Sequence, residues 1–462
     1  MSAHEQILAA DFVLTMDVDN RVIRNGAVLV RGDRIGAVAE ADALTRDHPA
    51  VPVRRMRDRL LMPGLVNAHC HSGILRGTAE SLPVWDWLTL HINPMHRVLK
   101  PHEAEAASWL CYAESVLSGT TTVVDMWRFM DGSARAAQAI GNRLGAVPYV
   151  GSHPDYNYFE SLDDNERMIE TWHGKANGRV RVWVGLEHLF YADEAGQRRA
   201  IELAKRHRTG FHTHASEAEI EIPEMNNRYG LRPMHVLERL GFFEIDKVMI
   251  AHAVWLDDDE IDLIARHGVS VAHNPVSNMK LASGIARVEG MRKAGVAVGI
   301  GTDGEKENNN LDMFEEMKVA SLLGKLGRMN AAALPSWDVL RMGTIEGARA
   351  VGLDAEIGSL EPGKKADLIA VRTDTPRMTP LFGADYFNLH HNLVHAVRGS
   401  DVDLTMVDGG VLVEDGQLKT ADIKELIAHV HEVVPGLFSR RAAYLAQNQH
   451  GTASWTEPNG VS

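Results

Sequence analysis

Residues 66–72 read VNAHCHS and close an apolar run, residues 60–66, that Pro63 and Gly64 interrupt and that has the length of a buried strand. Side chains alternate faces along a strand, so His69 and His71 share a face and Cys70 points away. Two imidazoles so placed can chelate one cation through their ring nitrogens. An isolated H-x-H is more often a pair of loop histidines, so further ligands must arrive from elsewhere.

The chain supplies them at the ends of other short apolar runs. His214 closes TGFHTH, His252 closes KVMIAH and Asp303 closes AVGIGTD, while Asp125, His188 and His273 end three more. Each alone reads as an ordinary hydrogen-bonded residue; their recurrence at strand ends is what argues for a site. His69, His71, His214 and Asp303 offer three neutral nitrogens and a carboxylate. That set suits one divalent transition metal with space for water: Zn2+ is expected first, and Fe2+, Co2+ or Mn2+ also fit. Glu217, three residues after His214 in HASE, can stay off the metal and carry a proton from the activated water to a leaving group. By pattern alone it reads equally well as an exposed residue opening a helix. His252 can steady the nucleophile or the developing oxyanion, and Asp303 is a second candidate for the first proton.

The elements that must position these residues follow from the rhythm of the chain. Apolar runs at GLVNAH, TTTVVDM, GAVPYVGS, VRVWVGLEH, TGFHTH, KVMIAH, GVSVAH and AVGIGTD alternate with helical patterns, which predicts a (β/α)8 TIM-like barrel of the α/β class. Such barrels carry their chemistry at the C-terminal ends of the strands. Alternating short strands before residue 62, with the turn signal DVDNRVIRNG between them, return at residues 366–374 and 402–418. They predict a small β-sandwich built from both termini. The expected division is residues 1–62 and 359–420 for that sandwich and 63–358 for the barrel. Residues 421–462 should form a helix and a polar, flexible end. LPVWDWLTLHINPMH should be an insertion over the barrel mouth.

Composition narrows the partners. A net charge of −14 over 462 residues disfavours nucleic acid and anionic membranes. Two cysteines imply no disulfide framework and fit a reducing cytoplasm. Neither a signal peptide nor a transmembrane run is expected. A small-molecule substrate and a homo-oligomer are.

PGLVNAHCH, HTHASE, IAH, HNPVSNMKLASGIA, GIGTDGEKENNNLDMFEEM and TIEGARAVGLDAEIGSLEPGKKADLI together resemble the amidohydrolase superfamily. The resemblance is strongest to its branch of triazine hydrolases and adenosylhomocysteine-type deaminases. It implies that His69, His71, His214 and Asp303 hold one metal, and that Glu217 and His252 act on water and substrate. No Lys ends the fourth strand, so the two-metal form of the superfamily is not implied. The pattern departs where substrate is chosen. Glu187-His188-Leu189-Phe190 replaces the deaminases' P-H-A-P, and His96 falls where their ribose-binding Glu would be. Trp85, Trp87, Leu90, Met95, Trp127 and Phe190 should form an apolar wall. His188, His96, Trp87 and Asn278 are therefore the expected substrate-binding residues. The expected reaction is hydrolysis of a C–N or carbamoyl-type bond in a small neutral molecule of xenobiotic type. A substituted urea, a carbamate or thiocarbamate and a triazine-like compound all fit. The alternative is a deaminase of an aminated purine, pterin or nucleoside. A non-enzymatic scaffold is disfavoured because every expected ligand is present.

Overall fold

Alternation of buried and exposed side chains sets the terminal strands, and continuous apolar runs set the central ones. The computed structural model describes residues 5–78, 82, 84–383 and 386–448; the side chain of Trp85 and the polar end of the chain lie outside that set. The strands are β1 (Glu5–Leu14), β2 (Val22–Arg31), β3 (Arg34–Glu40), β4 (Val53–Pro63), β5 (Leu65–Cys70), β6 (Thr120–Trp127), β7 (Arg143–Pro148), β8 (Val180–Val182) and β9 (Val184–His188). They continue as β10 (Phe211–Ala215), β11 (Val248–His252), β12 (Ser270–His273), β13 (Val298–Ile300), β14 (Leu368–Arg372), β15 (Val402–Val407), β16 (Gly410–Glu414) and β17 (Gln417–Leu418).

Both chain ends build one mixed sheet in the order β17-β16-β15-β14-β4-β1-β2-β3. Antiparallel pairing of β4 with β14, Leu61 opposite Ala370, joins the two ends. Leu8, Val28, Leu368 and Leu404 share one apolar cluster, while Ile7 and Leu29 face the helix Ala41–Asp47. That helix lies in a stretch expected to be strand throughout; its Ala41 and Leu44, three residues apart, give it a buried stripe. Asn25-Gly26, expected in a turn, lies inside β2 with Asn25 at φ 45°. The pairing is that of a single sheet, and by itself it does not define two layers.

The eight central runs are strands, all parallel to their neighbours. They pair as β5-β6-β7-β8 and β13-β12-β11-β10-β9. The fourth run, VRVWVGLEH, is divided at Trp183, so that β8 pairs with β7 and β9 with β10. At the other junction the Asp303 N–H donates to the His69 carbonyl at 3.0 Å, and the Thr302 N–H to Asn67 Oδ1 at 3.1 Å. The ends of β13 and β5 are thereby held together.

After β5 the insertion forms short helical segments, Val84–Trp87, Leu88–Ile92 and Asn93–Val98. The helix Ile423–Gln447 lies against them. Arg440 makes two bonds to the Glu103 carboxylate, at 2.5 and 2.6 Å, and Leu437 joins the cluster of Trp87, Ile92 and Met95. No helix among the described residues is long and apolar enough to cross a membrane.

Arg143, at the start of β7, fastens the terminal sheet to the central strands. Its guanidinium meets Asp367 at 2.6 and 2.8 Å and also bonds Asp408, with Arg143 and Asp367 only 4% and 2% exposed. Arg143→Ala leaves the buried Asp367 carboxylate without its cation, while Asp408 keeps Arg179 and Lys365 at 3.6 and 3.5 Å. It should lower stability by about 3–5 kcal/mol in urea denaturation, since breaking a buried pair strands its partner. An unchanged midpoint would assign the docking to the apolar contacts alone.

Candidate metal centre and active site

The hydrogen-bond partners of each imidazole decide what the histidines can do. His71 Nδ1 lies 2.6 Å from the Met126 carbonyl and His214 Nδ1 2.6 Å from the Glu187 carbonyl, so both nitrogens carry the proton and donate it. His69 Nδ1 lies 2.8 Å from His212 Nε2, while His212 Nδ1 lies 2.9 Å from the Met249 carbonyl. His212 must donate to that carbonyl and accept from His69. All three Nε2 atoms are thus left as lone pairs. They converge: His214 Nε2 is 3.2 Å from Nε2 of both His69 and His71, and Asp303 Oδ1 is 3.4 and 3.2 Å from those same two atoms. Asp303 Oδ1 is buried and has no hydrogen-bond partner among the described residues. Three lone pairs and a carboxylate oxygen without an intervening proton repel one another, and a divalent cation is the group that this donor set fits. Burial holds the His69 and His214 imidazoles well below their usual range, which keeps them neutral.

The acid–base residues stand beside this cluster. Asp303 Oδ2 accepts from Ser277 Oγ at 2.6 Å and lies 3.9 Å from His252 Nε2. His252 Nε2 is 3.8 Å from Glu217 Oε2, and its Nδ1 donates to Asn278 Oδ1 at 2.9 Å. Glu217 is buried, with its backbone N–H donating to Glu221 Oε1 at 2.7 Å. Desolvation is the largest influence on its carboxyl and Asp303 adds like-charge repulsion, and together they outweigh His252 and raise it to about 7. Ser216, His252, Ala253 and Asp303 have φ of 54°, 71°, 48° and 60°, a region that side chains seldom adopt. Such backbone strain gathers where geometry is over-determined for function.

The expected site residues divide into two groups. His69, His71, His214, Asp303, Glu217 and His252 are brought together as described. Asn278, expected at the substrate, is brought to His252. His188 stacks on His214 with ring centroids 5.1 Å apart, and its Nδ1 lies 2.6 Å from Glu187 Oε2. Burial opposes protonation of His188, yet the Glu187 carboxylate outweighs it and raises the imidazole to about 9. His96 is buried, stacked on Tyr149 at 5.1 Å, and Tyr149 in turn lies 5.7 Å from the His71 ring. Trp87 sits in the cluster beneath the insertion, with Lys306 Nζ 5.8 Å from its ring. Trp127 donates its indole N–H to the Ala104 carbonyl at 3.1 Å and its ring centroid lies 5.6 Å from that of His96. His212, Ser277, Glu187 as a side chain and Tyr149 were not singled out from sequence. Only His212 left a signal there: it shares a strand face with His214.

The amidohydrolase family model matches residues 60–412. The chain is 35% identical to the 5-methylthioadenosine/S-adenosylhomocysteine deaminase of Thermoanaerobacter pseudethanolicus, over 93% of this chain and 98% of that protein. It is 38% identical to the 5′-deoxyadenosine deaminase of Methanosarcina mazei, over 94% and 98%. Among solved structures, an adenosine deaminase from Xanthomonas campestris with bound Zn superposes with a TM-score of 0.86 at 30% identity, covering 94% of this chain and 98% of that one. The chain belongs to the amidohydrolase family. It is a metal-dependent hydrolase of C–N bonds on a TIM-barrel α/β domain.

Elemental analysis of the purified protein should find about one divalent metal per chain, as four protein donors meeting at one point imply. His214→Ala and Asp303→Ala should each lose it, and His212→Phe, which frees His69 to rotate, should weaken metal binding about 10- to 100-fold. Full metal content in His214→Ala would overturn the ligand set.

Proposed function

We propose that this chain is a hydrolytic deaminase that replaces the amino group of an aminated purine-type ring, free or as a nucleoside, by a carbonyl oxygen. The observation that carries the reading is the placement of Glu217. A buried carboxyl raised to about 7 stands 3.8 Å from His252, which is itself 3.9 Å from Asp303. Deamination of such a ring needs one group that takes a proton from water and gives it to a ring nitrogen, and this position serves both acts. The similarity along nearly the whole chain to proteins named as adenosine-type deaminases favours this reading over the hydrolysis of ureas or carbamates expected from the sequence.

A divalent metal held by His69, His71, His214 and Asp303 acidifies water at the site and so supplies a nucleophile at neutral pH. The residues of the chain do the rest. Glu217 as carboxylate takes the proton from the water and passes it to the ring nitrogen next to the reacting carbon. His252, its Nδ1–H committed to Asn278, presents Nε2 to the water and aims it at that carbon. Asp303 keeps Oδ2 on Ser277 and stays fixed throughout. The C–N bond then breaks, ammonia leaves with the second water proton, and the carbon keeps the oxygen. Beyond His188 a cavity of about 230 Å³, lined by Leu88, Asn93, Tyr156, Phe190, Tyr191 and Arg228, has room for a substituent carried by the ring. Two of its lining residues, Phe190 and Tyr191, have ring centroids 4.9 and 5.7 Å from that of His188.

Glu217→Gln should keep the metal and lower kcat by about 10²–10⁴-fold. Because the working form is the carboxylate and the carboxyl is raised to about 7, kcat/KM of the native protein should climb with pH and level off above 7. The Gln variant should lack that acidic limb; a limb that persists would assign it to another group.

The substrate is tested by measuring ammonia from 5′-deoxyadenosine, 5′-methylthioadenosine and adenine. Amine release from N-aryl ureas and N,N-dialkyl thiocarbamates is followed in parallel. Turnover of the ureas or thiocarbamates with the purines inert would overturn the deaminase reading.

A further inference from the structure

The segment that follows Asp303 reads Gly304-Glu305-Lys306-Glu307-Asn308, its last four residues form one short helical turn, Glu305–Asn308, and all three charged side chains in it are buried, at 3%, 4% and 4% exposure. Burying two carboxylates with one ammonium is costly, because a single cation cannot satisfy both. Their partners differ. Glu305 Oε1 accepts the Leu75 N–H at 2.8 Å, which ties this turn to the segment after β5. Glu307 Oε1 lies 2.7 Å from Lys306 Nζ, but Glu307 Oε2 is buried and has no donor among the described residues.

The backbone has made room for this oxygen beside the metal centre. A Cβ on Gly304 would stand 2.3 Å from Glu307 Oε2 and 3.1 Å from His71 Cβ. A carboxylate oxygen of Glu307 lies within 4.8 Å of ligand atoms of both His71 and Asp303. The side of the site also follows. Glu217 follows β10 and His252 ends β11, whereas Glu307 follows β13 on the short helix Glu305–Asn308, which is fastened to the segment after β5. The two carboxylates therefore approach the metal centre from different flanks.

We propose that Glu307 is a substrate-binding residue whose unshared oxygen accepts a hydrogen bond from the amino group that departs, with Lys306 holding the other oxygen in place. The inference rests on the deaminase reading. A ring whose nitrogen faces Glu217 carries its exocyclic amine on the adjacent carbon, turned toward the flank where Glu307 stands. Glu307 exchanges no proton in this role; it accepts an N–H that a substrate with an ether or halide at the same carbon does not have. The class of substrate selected is an aminated ring over its alkoxy or halo counterpart.

The test compares 5′-deoxyadenosine with its 6-methoxypurine analogue, which yields the same product but carries no N–H at the reacting carbon. Each is followed by kcat/KM, or by its inhibition constant if it does not turn over. Glu307→Gln should lower the preference for the amine over the methoxy compound by about 10- to 100-fold, the range for loss of one charge-assisted hydrogen bond. Lys306→Met/Glu307→Gln, which removes both buried charges, gives the same comparison if the single variant does not fold. An unaltered preference, an equal loss on both compounds, or loss of the metal from the variant would overturn the inference while leaving the deaminase reading in place. A native protein that releases ammonia from no purine overturns that reading, and the inference with it.

Discussion

Everything in this protein is arranged around a repulsion. His214 Nε2 lies 3.2 Å from Nε2 of both His69 and His71, Asp303 Oδ1 lies 3.4 and 3.2 Å from the same two atoms, and the protons that could separate them have been turned outward to other acceptors. Two of those acceptors are backbone carbonyls at strand ends, Met126 on β6 and Glu187 on β9. The third is His212, itself anchored on the Met249 carbonyl of β11. A cation turns the repulsion into binding, and the strand ends pre-set the geometry so that little ordering remains when it arrives. The left-handed φ at Ser216, His252 and Asp303 belongs to the same constraint, since a relaxed backbone would not aim these side chains inward.

Chemistry and selection are carried by different parts of the chain. The ligands and Glu217 sit on or just after parallel strands, whose spacing hydrogen bonds determine. Trp87 and His96 sit on the helical insertion, and Glu307 on the short helix after β13, and these are held by side-chain contacts. The helix Ile423–Gln447 holds the insertion through Arg440 and Arg441, which donate to the Val98 and Leu90 carbonyls at 3.1 Å each, so a segment remote in sequence bears on the insertion. Changes in the insertion can therefore alter which substrate is accepted without disturbing the four converging donors, a division that barrel enzymes use widely.

Much of this was legible in the sequence for a definite reason. The central strands are apolar runs whose last residues are polar, and in a parallel α/β fold the last residues of neighbouring strands must converge. His69, His71, His214 and Asp303 followed from that rule. His212 did not, because its meaning depends on the rotation of His69, which no spacing encodes. Asn278 was read as facing substrate, although its oxygen is brought to His252 Nδ1, and only the packing of the segment after β12 against β11 determines which it meets. The helix Ala41–Asp47 was missed because ADALTRD is short and neighbours strong strand patterns. The contribution of both termini to one sheet was readable from their shared texture.

The aromatic residues are the instructive case for the substrate. Read as a string, Trp85, Trp87, Trp127 and Phe190 suggested an apolar wall and hence a small neutral substrate. In the fold Trp127 spends its indole N–H on the Ala104 carbonyl, and Trp87 is covered by Leu437 and Met95. What surrounds the metal centre instead is polar: the Glu187–His188 pair with Tyr149 on one side, Lys306 and Glu307 on another, and His96 between Tyr149 and Trp127. Buried polar groups are stable only when a partner satisfies them, and an N-alkyl carbamate offers few. A heteroaromatic ring with an amino substituent offers donors and acceptors around its whole edge. Glu307 Oε2 and both ring nitrogens of His96, buried and without hydrogen-bond partners among the described residues, are the groups that such an edge could meet.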